Sequence, residues 1–180
     1  MVGSIVCLAN QIENGRVKFD NYFNDNKPIY FGKYRVNVVS IDNKTDNLII
    51  RTINISTESL NKKIIHIQYT EWPDHSSPSN LSNITNMMNL LINNHLDKPI
   101  LIHCSAGIGR TGSFLVAFDN YLGIIMYARG LIDYKQINIC DNIYNFRKYR
   151  EGLVQTADQL EFCYLILLYS LDKMIGSDSD

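Results

Sequence analysis

The stretch that most constrains this chain is PILIHCSAGIGRTG, residues 99–112. PILIHC (99–104) is a short apolar run that reads as a strand buried on both faces. Arg110 then opens a helical pattern in which Phe114, Leu115, Phe118 and Leu122 suit burial. A strand, loop and helix in close succession fit an α/β architecture. In the loop, the backbone N–H groups of Ser105, Ala106, Gly107, Ile108, Gly109 and Arg110 can converge beside a helix N-terminus, making a nest for a tetrahedral anion. The same donors favour thiolate at Cys104. Arg110, six residues on, offers a planar fork for two anionic oxygens. Gly107 and Gly109 let the backbone approach a ligand without Cβ clashes. An isolated cysteine is ordinarily a buried structural residue, and a bare Cys-x5-Arg string arises by chance. The strand before it, the helix after it, and the flanking His103 and Thr111 separate this string from chance.

Upstream, the chain reads as strands. MVGSIVCLAN opens as a strand, with no basic leader or cleavage site. Between Tyr30 and Tyr69 an antiparallel meander is expected. Tyr34, Val36 and Val38 alternate with polar residues, then LIIRTINI (48–55), then IIHIQY (64–69), separated by turns such as DNKTDN (42–47). The period then changes: Leu81, Ile84, Met88 and Leu91 predict a helix, capped by Ser77 or Ser79. A helix carrying Ile139, Ile143 and Phe146 is expected behind Asn138. A last one, from Thr156 to Lys173, begins with the capping-box string TADQ (156–159). The fold class is α/β, a mixed sheet with flanking helices, in a single domain over residues 1–180.

Composition excludes several classes. A formal net charge of −1 argues against general binding to nucleic acid or anionic membranes. The most apolar run, Phe162 to Leu171, is too short for a membrane span. Cys7, Cys104, Cys140 and Cys163 show neither metal-ligand nor disulfide spacing, which places the chain in a reduced, cytoplasmic setting. His66, His75 and His95 read as strand, loop and surface histidines, and Cys7, Cys140 and Cys163 as packed residues without chemistry.

HCSAGIGRTG (103–112) resembles the signature loop of the tyrosine-specific protein phosphatases, and other segments agree in order. WPDH (72–75) resembles the family's movable acid loop, QTADQ (155–159) its glutamine loop, and NFRKYREGLVQT (145–156) the approach to it, with Arg147 and Arg150 matching its arginines. QIENGRVKF (11–19) resembles its glutamate loop. The resemblance implies dephosphorylation of phosphotyrosine proteins in signalling, without metal or cofactor. Cys104 would be the nucleophile, Arg110 the phosphate clamp and Asp74 the general acid. Gln159, helped by Gln155, would orient the hydrolytic water. Thr111 would assist the leaving thiolate, and His103 would help hold Cys104 ionised. Glu13 would pair with Arg110, and Lys18 would reach toward the acid loop. On the residues alone, Asp74 also suits a turn after Pro73, Gln159 a helix cap, and Glu13 and Lys18 plain surface charges.

The resemblance covers nearly all of this chain, but roughly the C-terminal two-thirds of a family catalytic domain. The portion whose tyrosine stacks on the substrate ring has no counterpart here. Ser76 stands where relatives usually have glycine, which is expected to stiffen closure of the acid loop. Three readings follow: an active phosphatase, a phosphotyrosine-binding module with little turnover, or a phosphatase of RNA 5′-phosphates or phosphoinositides. The intact Cys104, Arg110 and Asp74 favour the first. Near-neutral charge weighs against RNA, and the loop carries no lysine for an inositol headgroup.

Overall fold

A computed structural model describes residues 2–45, 47–94 and 97–177. His95 lies outside the described residues. The chain forms two compact units, Met1–Glu71 with Asn86–Ser105, and Trp72–Thr85 with Ala106–Asp180.

The first unit is built on a six-stranded mixed sheet. Strands β1 (Ser4–Cys7), β4 (Ile29–Phe31), β5 (Tyr34–Thr45), β6 (Leu48–Ser56), β7 (Asn61–Tyr69) and β8 (Ile100–His103) are ordered β4-β5-β6-β7-β1-β8. From β4 to β7 the pairing is antiparallel, as the alternating pattern predicts. β1 then lies parallel between β7 and β8. β5 runs on to Thr45, so the turn expected over 42–47 is shorter, and Asp46 lies outside the described residues.

Register decides which side chains meet. Cys7 stands opposite His103, and Ile5 opposite His66, so Cys7, His66 and His103 share one face. Arg51, opposite His66, shares it too. The irregular segment after the hairpin of β2 (Ile12–Glu13) and β3 (Arg16–Val17) covers this face, with Phe23 buried against Val36 and Ile53, and Phe19 and Tyr22 beside them. That hairpin turns on Asn14 and Gly15, both at positive φ (48° and 73°). Two left-handed residues in a two-residue loop make the turn for which Asn-Gly is suited.

Strand β8 departs from expectation. It pairs with β1 alone among the described residues, and Leu101 is 49% exposed. An edge strand keeps its apolar sequence without being buried on both sides.

In the second unit, α2 (Gly109–Ala128) packs against α4 (Ala157–Ser177) and α3 (Ile139–Arg147). Phe114, Val116, Ala117, Phe162 and Ile166 are fully buried. Asn138 caps α3 as expected, accepting from the Asp141 N–H. Helix α1 (Leu81–Asn94), which the division between units crosses, is capped instead by Asn80, whose Oδ1 accepts from the Asn83 N–H at 3.0 Å. Ser77 and Ser79 lie too far upstream to reach its first turn. None of the described helices is long and apolar enough to cross a membrane.

Candidate active site

The chain passes from the first unit to the second between Ser105 and Ala106, inside the glycine-bearing loop. On the first side, Cys104 is 5% exposed at the end of β8. The ring of His103 lies against Cys104, its Nδ1 3.0 Å from the Cys104 carbonyl oxygen. A carbonyl only accepts, so Nδ1 carries the proton. Burial lowers the His103 pKa, more than the bond to that carbonyl raises it. The neutral ring therefore has its lone pair on Nε2, which accepts from the Tyr22 hydroxyl at 2.7 Å. The Tyr22 oxygen in turn takes the Nε2–H of His66 at 2.8 Å. His66 is neutral as well, its pKa lowered to about 3 chiefly by burial and then by Arg51. Its Nδ1 is left without a partner among the described residues. His103 is thus set beside Cys104 as a neutral ring, tied to its carbonyl through Nδ1.

Glu13 and Lys18 also belong to the first unit. Glu13 Oε1 accepts from the Asn10 N–H at 2.9 Å, and Oε2 lies 3.8 Å from Lys18 Nζ. The Asn14–Gly15 turn and the Lys18 N–H bond to the Gln11 carbonyl (2.8 Å) hold the two side by side.

The second unit gathers the remaining candidates. Arg110, 2% exposed in the first turn of α2, donates from Nη1 to the Trp72 carbonyl at 2.8 Å. Its Nη2 donates to Asp74 Oδ1 at 3.3 Å. The clamp and acid candidates, 36 residues apart, are therefore ion-paired. Thr111 follows, buried. Trp72 is buried edge-on against Phe162, with ring centroids 4.9 Å apart, and donates from Nε1 to the Ser76 carbonyl at 2.9 Å. Thr156 Oγ1 donates to the His75 carbonyl at 3.1 Å, a second tie on the acid loop. The left-handed residue of that loop is His75 (φ 59°), not Ser76. Ser76 therefore sits where this conformation of the loop requires no glycine.

Gln155 and Gln159 meet the loop at Gly109. A Cβ built there would lie 2.6 Å from Gln155 Oε1 and 2.9 Å from Gln159 Nε2. The capping-box expectation is half met: Thr156 Oγ1 accepts from the Gln159 N–H at 3.3 Å, but Gln159 Oε1 takes the N–H of Gln155 at 2.8 Å. Gln159 is thus a cap partner whose amide nitrogen also faces the loop.

Two arginines that the sequence matched without a structural reason have one here. Arg150 Nη2 donates to the Ala106 carbonyl at 2.9 Å, bracing the loop at Gly107 (φ 72°). Arg147 donates from Nε to the Leu153 carbonyl and from Nη2 to the Val154 carbonyl, both at 2.8 Å.

The family model for protein-tyrosine phosphatase matches residues 1–169. The chain belongs to the protein-tyrosine phosphatase family. Tyrosine-protein phosphatase 2 of Dictyostelium discoideum is 34% identical over 182 residues, covering 97% of this chain and 47% of that protein. Protein-tyrosine-phosphatase PTP1 of Arabidopsis thaliana is 34% identical over 176 residues, covering 94% of this chain and 50% of that protein. This phosphatase-family chain spans about half the length of the curated relatives it matches. A structure of the type 18 non-receptor phosphatase with phosphorylated HER2 peptides matches with a TM-score of 0.84 at 22% identity, over 94% of this chain and 63% of that one. That likeness shows the shared fold, a mixed sheet with flanking helices. Tyr22 and His66, the partners of His103, were missed by sequence reasoning. No local spacing marks them: the sheet register brings His66 to His103, and Tyr22 reaches both rings from the irregular segment after β3.

Proposed function

We propose that this chain hydrolyses phosphotyrosine in proteins through a cysteinyl-phosphate, its two units acting as one catalytic domain over residues 1–180. The observation that carries the reading is the Arg110 fork, buried and shared between the Trp72 carbonyl and the Asp74 carboxylate. It puts the acid candidate beside the guanidinium that would hold the phosphoryl group.

In the first step the Cys104 thiolate attacks phosphorus. The bond to the tyrosyl oxygen breaks, and protonated Asp74 gives that oxygen its proton. Arg110 and the amides of Ser105 to Arg110 stabilise the equatorial oxygens. In the second step Gln159 and Gln155 orient a water, and the Asp74 carboxylate takes its proton. Attack on phosphorus breaks the S–P bond, releasing inorganic phosphate, while the Thr111 hydroxyl donates to the departing thiolate. Glu13 and Lys18 support the arginine and the acid loop. Substrates are phosphotyrosine segments of proteins, a class supported by the type 18 enzyme's complex with phosphorylated HER2 peptides. The setting is the cytoplasm and its signalling pathways, which four cysteines outside any disulfide fit.

The test is steady-state kinetics of the 180-residue chain on matched phosphotyrosine and phosphothreonine peptides, a 5′-phosphorylated RNA and a phosphoinositide. Turnover with preference for phosphotyrosine is expected. Tight binding without turnover would replace the enzyme with a binding module, and preference for RNA or lipid would overturn the substrate class.

A further inference from the structure

Three ligand-type side chains that the mechanism does not use together converge on one face of the sheet. Cys7 Sγ and one ring nitrogen each of His66 and His103 lie within 4.8 Å of one another. Their convergence follows from the fold: β1 runs between β7 and β8, Cys7 stands opposite His103, and His66 lies two residues away on the same face. Both Nε2 atoms point at the Tyr22 hydroxyl, from 2.8 and 2.7 Å. The nitrogens therefore share one focus, which the phenol oxygen occupies. His103 is already oriented by its Nδ1 bond to the Cys104 carbonyl, the arrangement by which a metal-ligating histidine is usually fixed.

We propose that Cys7, His66 and His103 form a site for a thiophilic divalent ion of the zinc class, gated by the Tyr22 hydroxyl, and that its occupation slows the chemistry of Cys104. One thiolate with two imidazoles is a borderline-soft donor set that suits zinc or cobalt and disfavours magnesium and calcium. Around zinc, such donors stand about 3.3–3.8 Å apart, so side-chain movements of about an ångström close the site. Tyr22 lies in the irregular segment between β3 and β4, outside any ladder, so it can withdraw without breaking a sheet. A cavity of about 300 Å³ lined by Phe19, Phe23 and Gln68 offers the approach. Phe19 stands against the His103 ring and Phe23 against the His66 ring. Arg51, which also lines the cavity, has its charge met by Asp25 at 2.7 and 3.1 Å.

Binding forms one Cys7 S–metal bond and two N–metal bonds and releases the Cys7 thiol proton. The Nε2 proton of His66 moves to Nδ1, the ring atom now without a partner among the described residues. Drawing the His103 ring to the ion pulls on the carbonyl of Cys104. A displacement of about 1 Å at a reacting group costs up to about 10²-fold in rate.

The regulatory half rests on the phosphatase reading, whereas binding does not, and the experiment separates them. Cobalt(II) is titrated into Cys104→Ser protein, which removes the other candidate thiolate, and absorption is recorded. One equivalent should give tetrahedral d–d bands and a thiolate-to-cobalt charge-transfer band. Cys7→Ser in that background, with folding checked by circular dichroism, should abolish the charge-transfer band. It should weaken binding by more than the roughly 10–100-fold that loss of an outer partner costs. If Cys7→Ser does not fold, Cys7→Ala takes its place. Tyr22→Phe should tighten binding about tenfold by removing the competing hydroxyl. No charge-transfer band, a band that survives loss of Cys7, or weaker binding in Tyr22→Phe overturns the site. With Cys104 intact, zinc should lower kcat by about 10²-fold with KM unchanged, and a chelator should restore it. A bound ion that leaves kcat unmoved overturns the regulatory half alone.

Discussion

Substituting Gly109 by alanine separates the two chemical steps. Gly109 opens α2 and is not among the positive-φ residues, so alanine fits its backbone, and alanine is the better helix former. The conflict lies in the side chain, since the new Cβ would stand 2.6 Å from Gln155 Oε1 and 2.9 Å from Gln159 Nε2. Ordinary contact begins near 3.4 Å, so the two amides must retreat by about 0.8 and 0.5 Å respectively. Gln155 can swing aside, but Gln159 is 1% exposed and tied to the Gln155 N–H, so it can only be displaced with its helix turn. In the proposed mechanism nucleophilic attack does not use these amides, while hydrolysis of the cysteinyl-phosphate does. A misplacement of this size costs about 10–10²-fold in the step that needs the geometry. Rapid-mixing kinetics with an aryl phosphate should therefore show an initial burst of phenol close to one per enzyme. Turnover should be slow after it, and acid quench should trap cysteinyl-phosphate. A burst that slows in parallel with turnover, or turnover equal to the parent's, would refute the assignment of the glutamines to the second step.

Asp74→Ala should cut turnover of phosphotyrosine peptides by about 10²–10⁴-fold and affect aryl phosphates with acidic leaving groups much less. Equal losses on both would remove Asp74 as the acid. The Cys163 thiol, buried on α4, has its pKa raised to about 12 by desolvation. The unfolded chain ionises it from about pH 9, where it binds fewer protons than the folded chain, so stability falls with rising pH by about 1.4 kcal/mol per unit between those values. Urea midpoints at stepped alkaline pH should show that slope, and Cys163→Ala should flatten it by the same amount. The edge at β8, unpaired on one side among the described residues and with Leu101 49% exposed, should make the 180-residue chain self-associate as its concentration rises. Leu101→Lys should suppress this in light scattering, and a concentration-independent monomer in the parent would contradict it.

What could be read from the sequence is what is encoded locally. The alternation in 34–38 and 64–69, the helical spacing of 81–91 and the Asn138 cap each depend on neighbours a few residues away, and each is found in the fold. The loop at 103–112 was legible because its chemistry needs cysteine, glycine and arginine at fixed offsets. Burial of β8 was misjudged because an apolar strand reads the same at the centre of a sheet as at its edge, and strand order is set by pairing. The cap of α1 was misplaced at Ser77 or Ser79 rather than at Asn80, because the choice depends on where the first turn closes. The grouping of Cys7, His66 and His103 had no local signal, because the parallel strands that create it are far apart in the chain.

Val154 shows how the glutamines are positioned. It is β-branched, yet its φ is +61°, a conformation that costs about 1–3 kcal/mol and persists only where the surroundings over-determine it. Those surroundings can be named. The Val154 N–H donates to the Ile108 carbonyl at 3.2 Å, its own carbonyl accepts from Arg147 Nη2 at 2.8 Å, and its side chain is 5% exposed. Gly112 admits the segment, since a Cβ there would stand 2.7 Å from Val154 N and 2.9 Å from Leu153 Cβ. A hydrogen bond to a charged donor contributes about 1.5–3 kcal/mol, so the Arg147 bond is of the same size as the strain. The Ile108 carbonyl that receives Val154 N–H also receives the N–H of Gly112 at 3.0 Å, so one oxygen fixes the start of α2 and the approach to Gln155 together. The strained residue therefore lies between the loop and the glutamines, and holds their amides at Gly109.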